Sequence, residues 1–447
     1  MRTIANTSAQ KATPSRRRTA SGRTSIVAGV AAPVAPSISV VVYHDQRADP
    51  RCPATYDALV TDGLTRGMRP VTFALLALRI VVLVVAIEAG RTSGPTDDLA
   101  RFAEIKHQEG VPYRDFAVEY APVETLIVRF GMSTDPVATA ARVAVLAFAA
   151  DIATWWAVRI GWGTRAAERY LWLGAPLLVF IYTRFDLVPV ALAAWGAVLA
   201  IRGSQRAGGA TMAIAALTKL WPAVLVPGFL VAGCKRAFAW AVLVGGGLVA
   251  VWVAVGGISG LTDVLTFRHA NGWEVESSVG TAVWIATGGP IRIEAGAPRV
   301  GSVSPAASVA LLVVLAGLVV AIWAVAMRRK RAAFGAASVA VIGALLACSS
   351  IFSLQYAAWL LPWAAVAWVE GDRRHFWMVA SVEVLTGILF VVYEPERVVL
   401  AQSLLVVRNL LVIALPLMWL LAERYGRASS ASASADGAVT GKRQTNR

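Results

Sequence analysis

Charge is scarce in this chain: Asp, Glu, Lys and Arg make up 15% of its 447 residues, against roughly 25% in soluble domains. So thin a supply cannot cover a water-facing globule of this length. Cysteine is scarcer still. Cys52, Cys234 and Cys348 fall in an N-terminal arm, a turn and an apolar run, which leaves no pair for a disulfide framework and no metal-ligand spacing. The four histidines, His44, His107, His269 and His375, are scattered, so neither a metal centre nor any other cofactor is expected. No Gly-x-Gly-x-x-Gly fingerprint opens a strand-helix unit, which argues against a nucleotide-sugar domain. Period-two alternation is missing too, and with it the signature of a membrane barrel.

What the chain does have is hydrocarbon: 57% of its residues are hydrophobic, above the roughly 45–50% of soluble proteins. Apolar segments at 70–89, 137–157, 170–183, 187–202, 209–220, 222–233, 237–256, 305–326, 333–350, 355–369, 376–393 and 398–421 predict an all-α, polytopic helical bundle of about twelve spans. Several middle segments are shorter than the about 17 residues of a full crossing. The pair meeting at Lys219-Leu220-Trp221-Pro222 is therefore expected to form a broken or hairpin element lining a cavity. Segment 122–133 either extends the second span or lies in the interface.

The formal net charge of +15 raises the question of nucleic acid, but the arginines sit in short gaps between apolar runs rather than along one groove. Orientation explains them better. Alternating sides from Arg66 and Arg69 places Arg159, Arg165, Arg169, Arg202, Arg206, Lys235, Arg236, 328–331, Arg373, Arg374, Arg424 and Arg427 together on the cytoplasmic face of the plasma membrane. Both termini then lie inside, and two large loops, 90–136 and 257–304, lie outside. Residues 1–68, whose weak apolar piece is broken by Pro33 and Pro36, are expected to be a disordered arm, with Met68 a candidate natural start. The transmembrane domain covers 69–427, and the Ser/Ala-rich tail 428–447 is expected to be unstructured. Arg79, Asp151 and Glu383 fall within spans, where pairing with one another is expected because an unpaired charge is expensive there.

The stretch 91–122 gathers acids and tyrosines just beyond the first span, where water-soluble and lipid-borne reactants meet. After Asp97 and Asp98, Leu99, Phe102 and Ile105 recur at helical spacing, Arg101, Glu104 and Lys106 take the wet side, and Gly110 ends the pattern. This spacing predicts a short helix on the membrane. Asp98 at its start reads as a first-turn acid satisfying free amides and as a carboxylate held at the lipid surface as a general base, two readings that do not exclude each other.

The order Asp98-Leu99, then Gly110-Val111-Pro112-Tyr113-Arg114-Asp115-Phe116, then Glu119-Tyr120-Ala121-Pro122 resembles the first outer loop of the family-87 glycosyltransferases of the GT-C fold. Arg184-Phe185-Asp186-Leu187-Val188-Pro189, Lys219-Leu220-Trp221-Pro222, and Phe352-Ser353-Leu354-Gln355-Tyr356 with Trp359-Leu360-Leu361-Pro362 follow in the family's order. In the second loop, 267–277 resembles a family stretch ending in Glu-Ser, with Asn271 and Glu274 departing from it, as Ala121 and Phe102 depart in the first.

This resemblance implies a GT-C-like fold and an inverting sugar transfer from a polyprenyl phosphate, mannose being the commonest sugar and arabinofuranose an alternative. The acceptor would be an extracytoplasmic glycolipid or cell-envelope glycan. A phosphate leaves without a general acid, so one carboxylate suffices to deprotonate the acceptor. Asp98 is the candidate base and Asp97 its nearest rival. Arg184, Lys219, Arg268 and His269, aided by Tyr113 or Tyr120, are candidates to hold the phosphate. Glu276, Gln355 and Tyr356 are candidates for the sugar hydroxyls, and Asp115, Glu119 and Asp186 complete the candidate site. The same residue types also serve as headgroup-binding loops, snorkelling lysines and interhelical hydrogen bonds. A lipid flippase or secondary transporter, using Arg79, Asp151, Lys219 and Glu383, is the alternative from another class.

Overall fold

In the computed structural model, the described residues are 69–92, 97–265, 271–294, 296–329, 332–392 and 398–441, all within the compact unit Asp45–Arg447. The arm expected over 1–68, Cys52, Arg268 and His269 lie outside them. The described residues are helical almost throughout. Among the described residues six helices are long and apolar enough to cross a membrane: α1 (Pro70–Thr92), α4 (Pro136–Trp162), α9 (Lys235–Leu265), α11 (Pro305–Arg328), α14 (Arg373–Val392) and α15, whose apolar part is Val398–Leu421. Between them come α2 (Asp97–His107), α3 (Pro122–Gly131), α5 (Thr164–Gly174), α6 (Leu187–Ile201), α7 (Gln205–Thr218), α8 (Gly228–Val231), α10 (Ser278–Thr287), α12 (Ala336–Cys348) and α13 (Leu361–Val369). This is an all-α polytopic membrane protein.

The apolar runs and the helices coincide closely at the long spans and part company in the middle. Segment 170–183 is not one helix: α5 ends at Gly174 and the chain continues as 3-10 turns over Ala175–Val179 and Ile181–Thr183. Segments 222–233 and 355–369 likewise open as 3-10 turns, Trp221–Leu225 and Leu354–Leu360. Pro176 and Pro222 lack the N–H that continues an α-helical ladder, and Pro227 follows on the second turn. Leu177, Leu178, Ile181, Trp221, Leu225 and Trp359 of these turns are buried, the setting in which non-helical backbone is tolerated at membrane depth. Segment 122–133 forms a separate short helix, α3, whose Leu126 and Phe130 project outward at 53% and 82% exposure. The last helix, α15 (Val398–Gly441), extends past Arg427 into the Ser/Ala-rich stretch.

Small residues let the helices meet. A Cβ on Gly208 would lie 2.6 Å from the Ala200 nitrogen and one on Gly209 2.2 Å from the Ala237 oxygen, so α7 packs backbone-close between α6 and α9. The charges within the spans resolve differently from one another. Arg79 and Asp151 pair at 2.9 Å, and the hydroxyls of Tyr170 and Tyr182 donate to Asp151 at 2.6 and 2.7 Å. Glu383 is not in that pair. It is buried on α14, where neither carboxyl oxygen has a hydrogen-bond partner among the described residues.

The second large loop folds as a small antiparallel sheet of order β1-β3-β2 (Trp273–Glu274, Ala297–Val300, Arg292–Glu294), with Glu274 opposite Arg299. Trp273, Val275, Trp284 and Val300 pack with Leu389 of α14 and Leu405 of α15 into a separate apolar cluster. That cluster fixes the loop over the end of the bundle.

Candidate active site

The predicted helix at the start of the first loop forms as α2. Leu99, Phe102 and Ile105 are buried beneath it at 2%, 3% and 0% exposure, because their spacing brings them to one face. Burying that face aims Asp98 inward, where its carboxylate accepts from the Arg184 guanidinium. Asp98 thus makes a long-range contact from the first turn of the helix.

Arg184 sits where the 3-10 turns before α6 end, in extended backbone. Two residues later Asp186 accepts from the Lys219 ammonium at 2.8 Å and from the Trp359 indole at 2.8 Å. Lys219 is in extended conformation just after α7, at the break expected around Leu220-Trp221-Pro222. Its ammonium lies 4.9 Å from the Tyr356 ring centroid. Trp221, Trp359 and Tyr356 stack in sequence, with centroids 5.2 and 4.3 Å apart. Four segments far apart in the chain thus meet through two ion pairs and one aromatic stack.

They line a cavity of about 810 Å³, within the about 300–1,000 Å³ of small-molecule sites. Of the sequence-derived candidates, Asp98, Glu119, Tyr120, Arg184, Asp186, Lys219, Glu276, Gln355 and Tyr356 line it. Phe180, Leu345, Leu346, Leu354 and Phe390 give it an apolar flank. Asp97 opens α2, and Arg268 and His269 are outside the described residues.

Tyr113 and Asp115 do not line the cavity. The Tyr113 hydroxyl donates to the Tyr120 carbonyl at 2.6 Å and meets Thr125 Oγ1 at 2.7 Å. Its ring packs on Trp252, and a Cβ on Gly256 or Gly260 would come within 2.8 or 2.5 Å of the Tyr113 Cβ. Tyr113 is a knob in a glycine groove of α9 that anchors the loop, at a φ of 71°. Asp115 accepts from the Val111 N–H at 2.6 Å and from Arg114. These donors lower its pKa to about 2, which suits a turn-closing carboxylate.

Two further acids, Glu124 and Glu274, frame the cavity in ways the sequence does not announce, beside the candidate Glu276. Glu124 is buried in the first turn of α3 with no hydrogen bond to a described residue. Burial pushes its pKa up to about 8, against the pull of Lys219 and with the push of Asp186, Asp98 and Glu119. Helical spacing carries a signal for it: Glu124 and the fully buried Val128 stand four apart and share a face. Glu274 accepts from the Ser353 hydroxyl, and burial raises its pKa. Glu276 is raised in the same way, with Glu274 beside it, while Arg408 pulls the other way. Asn409 of α15 donates to the Glu276 carbonyl at 3.2 Å, which pins the loop where the Glu276 side chain enters the cavity.

The acids therefore differ in availability. Asp186 is held by Lys219 and Trp359, and Glu119 by Arg101 at 3.1 and 3.2 Å. Burial biases Glu124 and Glu276 toward the neutral form, which donates a hydrogen bond rather than acting as a base. Asp98 is a carboxylate with 42% of its side chain exposed, able to meet an incoming group. Among the described residues no three of His, Cys, Asp and Glu are placed to hold a metal ion.

Compared with known families, residues 120–350, more than half of the chain, match the model of Glycosyltransferase family 87. No curated protein matches the chain.

Proposed function

Because this chain belongs to glycosyltransferase family 87, we propose that the cavity transfers a sugar from a polyprenyl-phosphate donor to the hydroxyl of an extracytoplasmic glycolipid or cell-envelope glycan. Mannose is the sugar favoured and arabinofuranose the alternative. The observation that carries this reading is the meeting of one exposed carboxylate, Asp98, with two cations, Arg184 and Lys219, in a cavity with an apolar flank. The flank offers surface to a lipid chain, and the cations offer fixed charge to a phosphate.

In this mechanism Asp98 takes the acceptor proton as the acceptor oxygen attacks the anomeric carbon from the face opposite the departing phosphate, so the configuration inverts. Arg184 and Lys219 hold the phosphate as its negative charge grows. In the neutral form, Glu124 and Glu276 add donors without adding repulsion. Tyr356 and Trp359 supply an aromatic wall for the sugar. The basic gaps on one side of the bundle support a catalytic face outside the plasma membrane.

Asp98→Asn tests the assignment with purified protein, polyprenyl-phosphate mannose and a lipid acceptor. Turnover is expected to fall by about 10²–10⁴-fold, the range for losing a general base, while donor binding survives. Unaltered turnover would reject Asp98 as the base.

A further inference from the structure

At the end of the bundle away from the catalytic cavity, Arg69, Arg165, Arg169 and Arg373 surround a second concavity of about 240 Å³ together with Glu168 and Trp368. Two long helices separate the sites. Arg69 directly precedes α1, whose 23 residues rise about 35 Å at about 1.5 Å each before the chain reaches Asp98. α4 starts at Pro136, just after α3 beside the cavity, and ends at Trp162, just before the helix that carries Arg165 and Arg169. The two sites face opposite membrane interfaces.

The concavity has an excess of cations that its own residues do not satisfy. Glu168 pairs with Arg69 at 3.5 Å. Among the described residues, no ion pair or side-chain hydrogen bond engages Arg165, Arg169 or Arg373. The positive-inside bias accounts for basic residues on this interface but not for their arrangement. Trp368 holds the Arg169 guanidinium 4.4 Å and the Arg373 guanidinium 5.1 Å from its ring centroid. Packing at 4.5 Å against Phe376 holds that ring. A guanidinium held over a ring keeps N–H donors that suit phosphate oxygens. Like charges gathered from three segments of the chain repel one another unless an anion joins them. The volume equals roughly eight waters at ~30 Å³ each, enough for a phosphate and its ester arm.

We propose that this concavity binds a phosphate-bearing anion at the interface opposite the sugar-transfer site, presented by an anionic phospholipid headgroup or free in solution. The test uses the full chain in nanodiscs of equal parts phosphatidylcholine and phosphatidylglycerol, with a photoactivatable phosphatidylglycerol as probe. Crosslinks are expected to concentrate on peptides containing Arg165–Arg169 and Trp368–Arg373. Labelling there should fall at least about tenfold in an R165Q/R373Q double variant, since losing even one of the two charge-assisted contacts has an effect of about that size. Both side chains are exposed, so folding is retained. Arg328→Gln, at another basic helix end, should leave the labelling unchanged. Competition by inorganic phosphate would assign the occupant to the free ion, and resistance to it would assign the lipid headgroup. Even labelling around the whole interface, indifferent to the double substitution, would overturn the proposal.

Discussion

Arg79 and Asp151 meet at 2.9 Å within the spans, and Arg184 and Asp98 meet at the cavity. The side-chain chemistry is the same, yet the surroundings are opposite. Arg79 also donates to the carbonyls of Leu75 and Leu171, and Asp151 accepts from two tyrosines, so the pair is sealed at 1% and 5% side-chain exposure. The cavity pair is open at 22% and 42%, and Arg184 Nε has no partner among the described residues. A buried pair is tolerated in hydrocarbon only when every donor and acceptor is used. A pair left incomplete beside a cavity has capacity for a substrate.

Breaking the sealed pair should have the largest effect on stability. Arg79→Met leaves Asp151 without its cation and is expected to destabilise the protein by about 3–5 kcal/mol, read as an unfolding midpoint in detergent. The folded fraction should transfer sugar at near the wild-type rate. Adding Asp151→Asn should restore part of the loss. A folded R79M protein with no activity would show that the sealed pair also serves the reaction.

The cavity should instead show its charge balance in a pH profile. Glu124 is neutral below about pH 8 and gains a negative charge above it. Donor phosphate should therefore bind less well as pH rises through that value. One unit charge about 12 Å away at an effective dielectric of about 20 is worth about 1.4 kcal/mol, or about tenfold in donor KM. Glu124→Gln should flatten the alkaline limb attributable to this group. An unchanged limb would remove Glu124 from the account.

Much of this contrast was legible in the chain. The acids and cations of the cavity stand in loops and at helix ends, where a charge beside an apolar run is conspicuous; Asp98, Arg184, Asp186, Lys219, Glu276, Gln355 and Tyr356 all line it. The break after Thr218 showed in the short apolar runs meeting at Lys219-Leu220-Trp221-Pro222, whereas the 3-10 turns before Leu187 and Leu361 were less visible, since hydropathy counts apolar side chains and is blind to backbone hydrogen bonding. Motif membership also does not say where a side chain points. Tyr113 and Asp115 belong to the same loop pattern as Tyr120 and Glu119, yet the first pair holds the loop and the second lines the cavity.

The smallest effect should come from Tyr113→Phe. It removes the hydroxyl contacts to Tyr120 and Thr125 and is expected to cost about 1 kcal/mol of stability, with sugar transfer nearly unchanged. A loss of turnover by orders of magnitude would return Tyr113 to the substrate.

The most direct measurement is an experimental structure of the full chain with polyprenyl phosphate bound. The account predicts phosphate oxygens on Arg184 and Lys219, the lipid chain along Leu345, Leu346 and Phe390, and the Asp98 carboxylate released toward the acceptor side. A phosphate bound elsewhere, with the Arg184–Asp98 pair still closed, would contradict it.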